Sequence, residues 1–409
     1  MSAREITSNG SDQSWVRRRI FLGQSFGEYL RGLLTPFNVV AALILWIGIP
    51  LAAIRFSQGL AETTNLTDGN PWGLWIGFDV LSGVALAAGG YVIASAVYIF
   101  GMKDYRPVAR AAVLTGFLGY FFVVVGLLFD LGRPWRLPFP IVVSMGVTSV
   151  MFLVAWHVLL YLTCQFVEFS PAVFEWLGWK TLRKWAVRVA LGATILGVML
   201  STLHQSALGA LFLLTPGKLH PLWYSPLIPL FFFVSSIVAG MSMVIIESLL
   251  SHRIFMGRDE SGHKDRLNSI TLGLGKAAAL VLFPYFWLKV IGVMHSNSWS
   301  LLSTPLGYWF LVEMLGFVAL PCFLFLLGAR NRSVALVRFT AVLTVIGIII
   351  NRLNVSIIAF NWNTPDRYVP RWPEYLITLT IVTLGLLTFK WIVNRLPVLR
   401  PHPDYADEH

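Results

Sequence analysis

The stretch that decides the fold is residues 72–101, WGLWIGFDVLSGVALAAGGYVIASAVYIFG, in which Asp79 is the only acidic or basic side chain. A helix that crosses a bilayer needs about 20 predominantly apolar residues. The run is long enough to cross with tilt or with extension beyond the membrane. Its many Gly, Ala and Ser residues favour close contact with neighbouring helices, because small side chains let helices approach one another in lipid.

Nine further segments meet the same criterion. We predict ten transmembrane helices, numbered spans 1 to 10, over 37–56, 72–101, 110–130, 139–167, 187–214, 226–250, 268–294, 304–328, 333–353 and 375–396. The predicted fold class is therefore an all-α integral membrane protein. Pro71-Trp72 precedes span 2 and Pro221-Leu222-Trp223 precedes span 6. We therefore expect two four-helix bundles, spans 2–5 (72–214) and spans 6–9 (226–353), with spans 1 and 10 beside them.

The composition excludes ordinary soluble proteins. Of the 409 residues, 56% are hydrophobic and 12% are charged, which is about half the charged fraction of a soluble domain. The two cysteines, Cys164 and Cys322, lie far apart within apolar runs, and there is no Cys-x-x-Cys motif. We therefore expect no iron–sulfur cluster and no metal site within this chain.

The basic residues predict the orientation. Most of the 31 Lys and Arg lie before span 1, after span 10, and in the connections 2–3, 4–5, 6–7 and 8–9. Because cytoplasmic loops carry such an excess, both termini are predicted to be cytoplasmic. Residues 1–36 form a basic, amphipathic cytoplasmic segment, 37–396 the polytopic membrane domain, and 397–409 a cytoplasmic tail. The net charge of +11 thus reflects membrane orientation rather than nucleic acid binding.

Polar residues within the spans gather in the predicted outer third of the membrane. Ionisable side chains are costly there and are candidates for function. A quinone head group needs a hydrogen-bond donor at each carbonyl, groups that exchange two protons, and an apolar slot for its tail. We predict a quinone site that brings together Asp79, Asp130, Arg133, His204 and Arg352 in one pocket open to lipid.

Each of these residues also has a purely structural interpretation. Asp130 and Arg133 can pair at the end of a helix. His204 can be a buried histidine bonded to a backbone carbonyl. Arg352 can neutralise Glu313 or extend towards the surface. The sequence leaves these alternatives open.

A proton path is predicted from His157, Glu247 and Glu313. Glu313 falls near mid-membrane on span 8, while Glu247 and His157 fall towards the inner side. Together with Asp79 they could relay protons from the cytoplasm to the outer site. Alternatively, Glu247 is an interfacial carboxylate near His252, and His157 is a buried core residue.

The outer loop between spans 5 and 6 offers contacts for a partner. Lys218, His220 and Trp223 are predicted to form that docking surface, or else to pack as loop residues. A chain without clusters cannot carry electrons far, so its electrons must come from or go to a redox partner on the outer face.

The histidines do not favour haem. A bis-histidine haem across two spans needs ligands at similar depth, and the predicted spans place His157 near the inner side and His204 near the outer side. The remaining histidines fall in loops or tails. We therefore expect a quinone-reactive subunit without redox cofactors of its own, active only in a complex.

Several blocks of sequence resemble the NrfD/PsrC family of quinone-interacting membrane subunits. These blocks are Asn70 to Asp79 (NPWGLWIGFD), Asp130 to Pro134 (DLGRP), His204 to Gly209 (HQSALG) and His220 to Trp223 (HPLW). They are most similar to the branch that contains the membrane subunit of hydrogenase-2 (HybB). The similarity runs from about residue 70 to 395.

The resemblance implies a menaquinone site near the periplasmic side of a bacterial cytoplasmic (inner) membrane. It also implies a periplasmic ferredoxin-like iron–sulfur subunit and a catalytic subunit, with a [NiFe] hydrogenase as the leading candidate, and a role in proton translocation. The family's functional positions carry over to Asp79, Asp130, His204, Glu247, Glu313 and Arg352. One departure is Leu153, which stands where the hydrogenase branch has a glutamate on span 4; His157 lies one turn further on.

Two other functions remain as alternatives. A cytochrome-linked or sulfur-metabolism complex of the same family would use the same quinone chemistry. A secondary transporter would need unwound, polar helices at the midplane, whereas here the polar residues lie in the outer third and Gly or Pro breaks are few.

Overall fold

The computed structural model describes residues 15–255 and 261–399 of the chain. Its helices include ten that are long and apolar enough to cross a membrane, which confirms the predicted number of spans. They are Pro36–Gln58, Trp75–Ile99, Lys103–Asp130, Val150–Leu177, Lys180–Leu214, Ile228–Phe255, Lys264–His295, Pro305–Arg330, Val334–Ile358 and Trp372–Val393. The all-helical membrane fold is as predicted. Residues 1–14 of the predicted N-terminal segment and 400–409 of the predicted tail lie outside the described residues.

The contacts between the helices are compatible with two groups of four. Each of spans 2–5 contacts the next, and span 5 returns to span 2; spans 6–9 are arranged in the same way. Span 6 joins the groups by packing on spans 2 and 5, while spans 1 and 10 pack on each other and on span 3. These contacts support the two bundles that we propose, called here the first bundle (spans 2–5) and the second bundle (spans 6–9).

The junction between the bundles depends on two facing glycines. A Cβ placed on Gly240 of span 6 would lie 2.6 Å from the backbone nitrogen of Gly89 on span 2. Side chains cannot be added at that distance without moving backbone. The small residues of span 2 therefore permit the close approach that the sequence predicted.

The N-terminal segment lies against the end of span 10. Its helix Phe26–Gly32 begins with a capping box between Ser25 and Glu28 and exposes Phe26 and Leu30. Arg395, just after span 10, donates hydrogen bonds to the Ile20 carbonyl and the Tyr29 hydroxyl at 2.7 and 2.8 Å. The described parts of both ends therefore lie on one face, which we call the inner face; the opposite face is the outer face.

Span 4 begins later than predicted. The apolar segment from residue 139 contains only a short helix, Phe139–Val142, and the membrane helix starts at Val150. Pro138, Pro140 and Gly146 explain the difference, because proline removes a backbone donor and glycine disfavours helix, although the residues around them are apolar. His157 therefore lies about 10 Å from the outer end of its helix, and its predicted inner position is wrong.

Three spans contain wide π-helical turns near their outer ends. These segments are Trp75–Ser82 in span 2, Val312–Ala319 in span 8 and Asn354–Ile358 in span 9. Span 2 is also interrupted between Leu86 and Gly89. The sequence suggested few such breaks. Wide turns of this kind occur frequently at functional sites, and two of them carry Asp79 and Glu313.

Candidate functional site

A buried histidine lies at the centre of the first bundle. The side chain of His204 on span 5 is fully enclosed. Its Nδ1 lies 2.8 Å from the carbonyl oxygen of Leu200. Because a carbonyl only accepts, Nδ1 carries the proton and donates. Nε2 is then the acceptor for the hydroxyl of Tyr120 on span 3. The alternative in which His204 bonds to a backbone carbonyl is thus confirmed.

Two tyrosines and two glutamines complete this polar centre, which we call the His204 site. The ring centres of Tyr120 and Tyr161 lie 4.6 Å apart, and the ring centres of Tyr161 and His204 lie 5.4 Å apart. Gln205 donates to the carbonyl of Val84 at 3.0 Å and to Tyr120 at 3.3 Å. Gln165 donates to Tyr161 at 3.0 Å. The sequence analysis missed these residues, although hydroxyl and amide side chains in the middle of apolar spans were a visible signal.

The two aspartates lie in a different place, where spans 2, 3 and 10 meet. Asp79 accepts a 2.7 Å hydrogen bond from Thr378 of span 10 and lies against Gly126 of span 3. Asp130 is one helical turn further along span 3 than Gly126. We call this pair the acid site.

Arg55 of span 1 is the cation beside Asp130. It is 1% exposed, interacts electrostatically with Asp130, and donates to the carbonyls of Phe129 and Leu131 at 2.8 and 2.7 Å. These bonds satisfy backbone acceptors at the end of span 3 that otherwise have no partner in the helix. Arg133, predicted both to pair with Asp130 and to support the quinone site, is exposed to solvent.

The second bundle holds a charged centre around Glu313, called here the Glu313 site. The fully enclosed carboxylate accepts hydrogen bonds at 2.6 to 3.2 Å from four side chains: Trp223, Lys289, Asn351 and Asn354. Lys289 is its ion-pair partner. A carboxylate has about four lone-pair directions, and here each has a donor. Glu313 lies about 12 Å from the start of span 8, within the outer half of that helix.

Arg352 reaches Glu313 only through Asn351. It donates to the Asn351 side chain at 2.7 Å and to Ser235 at 2.8 Å, and its guanidinium lies 3.8 Å from the centre of the Phe232 ring. Direct neutralisation of Glu313 is carried out by Lys289 instead. With Lys289 and Arg352 against one carboxylate, the Glu313 site has an excess positive charge.

The predicted pocket shared by Asp130, His204 and Arg352 is not present. Each of the three has its own partners on different spans, as described above. Tyr120 and Asp130 lie on the same helix ten residues apart, which corresponds to about 15 Å. That separation is too large for one quinone head group to contact both. The outer half therefore contains three polar sites rather than one.

Two of the three predicted docking residues are buried. His220 and Trp223 are each 2% exposed, and only Lys218 is exposed. The loop is fixed by hydrogen bonds of His220 N to the Ala359 carbonyl at 2.9 Å and of Asn361 N to the Lys218 carbonyl at 2.7 Å. Trp223 therefore faces Glu313 and not a partner, so the predicted role of His220 and Trp223 in direct docking is wrong.

Glu247 lies apart from these sites, at the inner end of span 6. It lines a small pocket together with Pro107, Ser248, Ser251 and His252. Thr115 of span 3 lies beside its carboxylate. Its position agrees with the prediction that it lies towards the inner side.

Comparison with known proteins gives several extensive matches. A family model described as "Polysulphide reductase, NrfD" matches residues 62–361. A protein of Nitratidesulfovibrio vulgaris whose name states no function is 52% identical over 381 residues, 93% of this chain and 98% of that protein. The probable Ni/Fe-hydrogenase 2 b-type cytochrome subunit of Escherichia coli is 31% identical over 370 residues, covering 90% and 93%. The menaquinone reductase integral membrane subunit of N. vulgaris is 26% identical over 384 residues, covering 85% and 88%.

The E. coli relative is named a b-type cytochrome subunit, and a bis-histidine haem in this chain would need two histidine ligands. His157 and His204 lie at similar depth and interact electrostatically, so the predicted difference in depth between them is wrong. Both ring nitrogens of His204 are nevertheless hydrogen-bonded within a closed site. The pair does not offer the two free nitrogens that a bis-histidine haem requires. The absence of haem stays a prediction, which a reduced-minus-oxidised spectrum of the purified chain checks.

Proposed function

The chain belongs to the polysulphide reductase NrfD family, and on that premise we propose that it is the membrane subunit of a respiratory redox complex that exchanges electrons and protons with menaquinone. Menaquinone is supported by the name of the N. vulgaris menaquinone reductase subunit. A [NiFe] hydrogenase as the catalytic partner is supported by the name of the E. coli relative. The location that we propose is the bacterial cytoplasmic membrane.

The observation that carries this proposal is the His204 site. A buried imidazole that accepts a hydrogen bond from a tyrosine hydroxyl is a pair that can give and take a proton in an apolar setting. Reduction of a quinone to a quinol consumes two electrons and two protons. A site of this kind in the outer half of the membrane suits a quinone reaction supplied with electrons from the outer face.

Electrons must be delivered by another subunit. The two cysteines of the chain, Cys164 and Cys322, are both buried and unpaired, and two thiolates do not complete a four-cysteine cluster. We propose a ferredoxin-like iron–sulfur subunit on the outer face, with Lys218 at the contact. It would connect the quinone to the catalytic subunit.

The acid site is assigned to proton exchange with the outer surface. Asp79 of span 2 lies against Gly126, which is one turn from Asp130 along span 3, and the buried Oδ1 of Asp130 has no hydrogen-bond partner among the described residues. Such an oxygen is costly to leave alone, and a proton or a hydroxyl group would satisfy it. Arg55 provides the balancing charge.

Proton uptake from the inner side is assigned to Glu247. Its pocket lies at the inner face, beside Thr115. Glu313 is assigned a fixed structural charge, because four donors and an ion pair hold it. Coupling of Glu247 to the acid site would make the subunit proton-translocating.

The experiment compares quinone turnover in membranes that contain the assembled complex. With 2,3-dimethyl-1,4-naphthoquinone as electron acceptor, His204→Gln and Asp130→Asn should each lower turnover at least tenfold. The matched control is Asp68→Asn, because Asp68 is an exposed carboxylate on the same outer face. Wild-type turnover in both site variants, with the complex intact by size-exclusion chromatography, would refute the proposal.

A further inference from the structure

The inner end of span 5 carries basic side chains that no carboxylate neutralises. Lys180, Lys184 and Arg188 are exposed, and within the described part of the chain none of the three is paired with an acidic side chain. Glu175 is the only acidic residue between residues 170 and 214. Its buried carboxylate is already held between two arginines at 2.9 and 3.0 Å. Three exposed positive charges therefore remain without a counter-charge.

Tryptophan side chains lie among these charges. Trp179 and Trp185 are 52 and 58% exposed, and the Arg188 guanidinium lies 5.3 Å from the centre of the Trp185 ring. Tryptophan is enriched where a membrane protein meets the lipid head groups, because its ring is apolar and its N–H is polar. The Trp185 ring also holds the guanidinium at the protein surface. Together these side chains are typical of a surface that contacts head groups.

The depth of Arg188 matches the inner head-group layer. Arg188 lies about 39 Å along the helix from Leu214, the outer end of span 5. A bilayer with its head groups is about 40–45 Å thick. Lys184 lies one turn beyond Arg188 on the same side of the helix. Both side chains can therefore reach the phosphates of the inner leaflet.

The same helix face continues as a strip of exposed apolar side chains. Leu191, Ile195 and Met199 follow Arg188 at helical spacing and are 45 to 58% exposed. Beside them, a Cβ placed on Gly192 would meet nothing within 4 Å. A basic end followed by an apolar strip matches an amphiphile that has a phosphate at one end and acyl chains at the other. A protein from the cytoplasm would cover only the basic end.

We propose that the inner end of span 5 binds an anionic phospholipid. Lys184 and Arg188 contact its phosphate, the Trp185 ring lies at the level of the glycerol backbone, and the acyl chains lie along residues 191–199. The lipid supplies the negative charge that the chain lacks here. It fixes the depth of the first bundle in the membrane and does not depend on the quinone reaction.

The corresponding turn of the second bundle offers a comparison. Arg330 and Arg332, between spans 8 and 9, are also exposed, but residues 310–361 contain no tryptophan. Cations without an aromatic partner are attracted to the membrane surface through their charge alone. Replacement of these two arginines is therefore the matched control.

Binding is measured by native mass spectrometry on the purified, delipidated full-length chain. The probe is dioleoyl phosphatidylglycerol, with dioleoyl phosphatidylcholine as the zwitterionic reference. Phosphatidylglycerol should bind at least tenfold more tightly than phosphatidylcholine. Lys184→Gln and Arg188→Gln should each weaken binding of phosphatidylglycerol about fivefold, which corresponds to the contribution of about 1 kcal/mol from one Lys or Arg near an anionic surface. The control pair Arg330→Gln and Arg332→Gln should leave the Kd unchanged.

A second measurement locates the lipid on the chain. In nanodiscs, a photoreactive phosphatidylglycerol should label a peptide within 180–199 of the wild-type chain, and Trp185→Leu should reduce that labelling. Equal Kd values for the two lipids would overturn the inference. Equal weakening in the control pair, or labelling spread evenly over the ten spans, would also overturn it, because either result would show attraction by surface charge alone.

Discussion

The indole nitrogen of Trp223 donates a 2.7 Å hydrogen bond to Oε2 of Glu313. Trp223 belongs to the outer loop between spans 5 and 6, whereas Glu313 lies within span 8. The same loop is tied to the end of span 9, where Asn354 also donates to Glu313 at 2.6 Å. The outer loop, span 8 and span 9 therefore form one hydrogen-bonded unit around a single buried carboxylate.

We expect Glu313→Gln to lower the free energy of unfolding by about 3–5 kcal/mol, because it leaves Lys289 buried without a counter-charge. Combining it with Lys289→Met should recover part of the loss. Thermal unfolding in detergent measures both, with a thiol-reactive dye reporting exposure of the buried Cys164 and Cys322. Glu62→Gln is the control, since Glu62 is exposed. Equal melting temperatures of Glu313→Gln and the wild type would show that the ion pair is not needed for stability.

The junction between the bundles gives a second prediction. In Gly240→Ala the new methyl group would lie 2.6 Å from Gly89 N and 2.7 Å from the carbonyl carbon of Ala88. We therefore expect overpacking to lower the free energy of unfolding by about 1–3 kcal/mol. Gly192→Ala is the matched control, because a Cβ there meets nothing within 4 Å. The same thermal assay compares them, and a stable Gly240→Ala variant would contradict the close approach of spans 2 and 6.

The outer loop should respond to pH through His220. Burial lowers the pKa of His220 below its ordinary value, so protonation is less favourable in the folded chain than in the unfolded one. Its contribution to stability is complete above the unfolded pKa of about 6.5 and is lost as pH falls towards the lower folded pKa. The melting temperature should fall between pH 7.5 and 5 less steeply in His220→Gln than in wild type. His295→Gln should show the same change of melting temperature with pH as the wild type. The same result for His220→Gln would show that protonation of His220 does not cause the pH dependence.

The orientation of the chain in the membrane is tested by labelling of introduced cysteines. Lys218→Cys in the outer loop should react with a membrane-impermeant maleimide in intact spheroplasts. Lys180→Cys, between spans 4 and 5, should react only after permeabilisation. Both positions are exposed, and the native cysteines are buried. The reverse pattern would invert the predicted orientation and place the three polar sites near the cytoplasm.

Hydropathy was sufficient to predict the ten spans but not where each helix begins. Residues 139–149 are nearly as apolar as the helix that follows, so their proline and glycine content was the only warning that span 4 starts at Val150. The error moved His157 to the wrong half of the membrane. It also separated His157 from His204, which lies at similar depth.

The candidate site was predicted residue by residue but not as an arrangement. Asp79, His204 and Glu313 were recognisable because acids and imidazoles are rare within apolar helices. Their partners could not be read from spacing, since Thr378, Tyr120 and Lys289 come from distant parts of the chain. Arg55 was not among the predicted site residues, yet it takes the place beside Asp130 that had been given to Arg133.

The π-helical turns have a consequence for how chains of this kind tolerate changes in length. A π turn holds about one residue more than an α turn, so deletion of one residue there can be absorbed by a return to ordinary α geometry. The part of the helix beyond the deletion would then keep its orientation, whereas a deletion in a regular α-helix would rotate it by about 100°. A relative shorter by one residue in Trp75–Ser82 or Val312–Ala319 could therefore keep all ten helices, with the residues beyond the deletion still facing their partners.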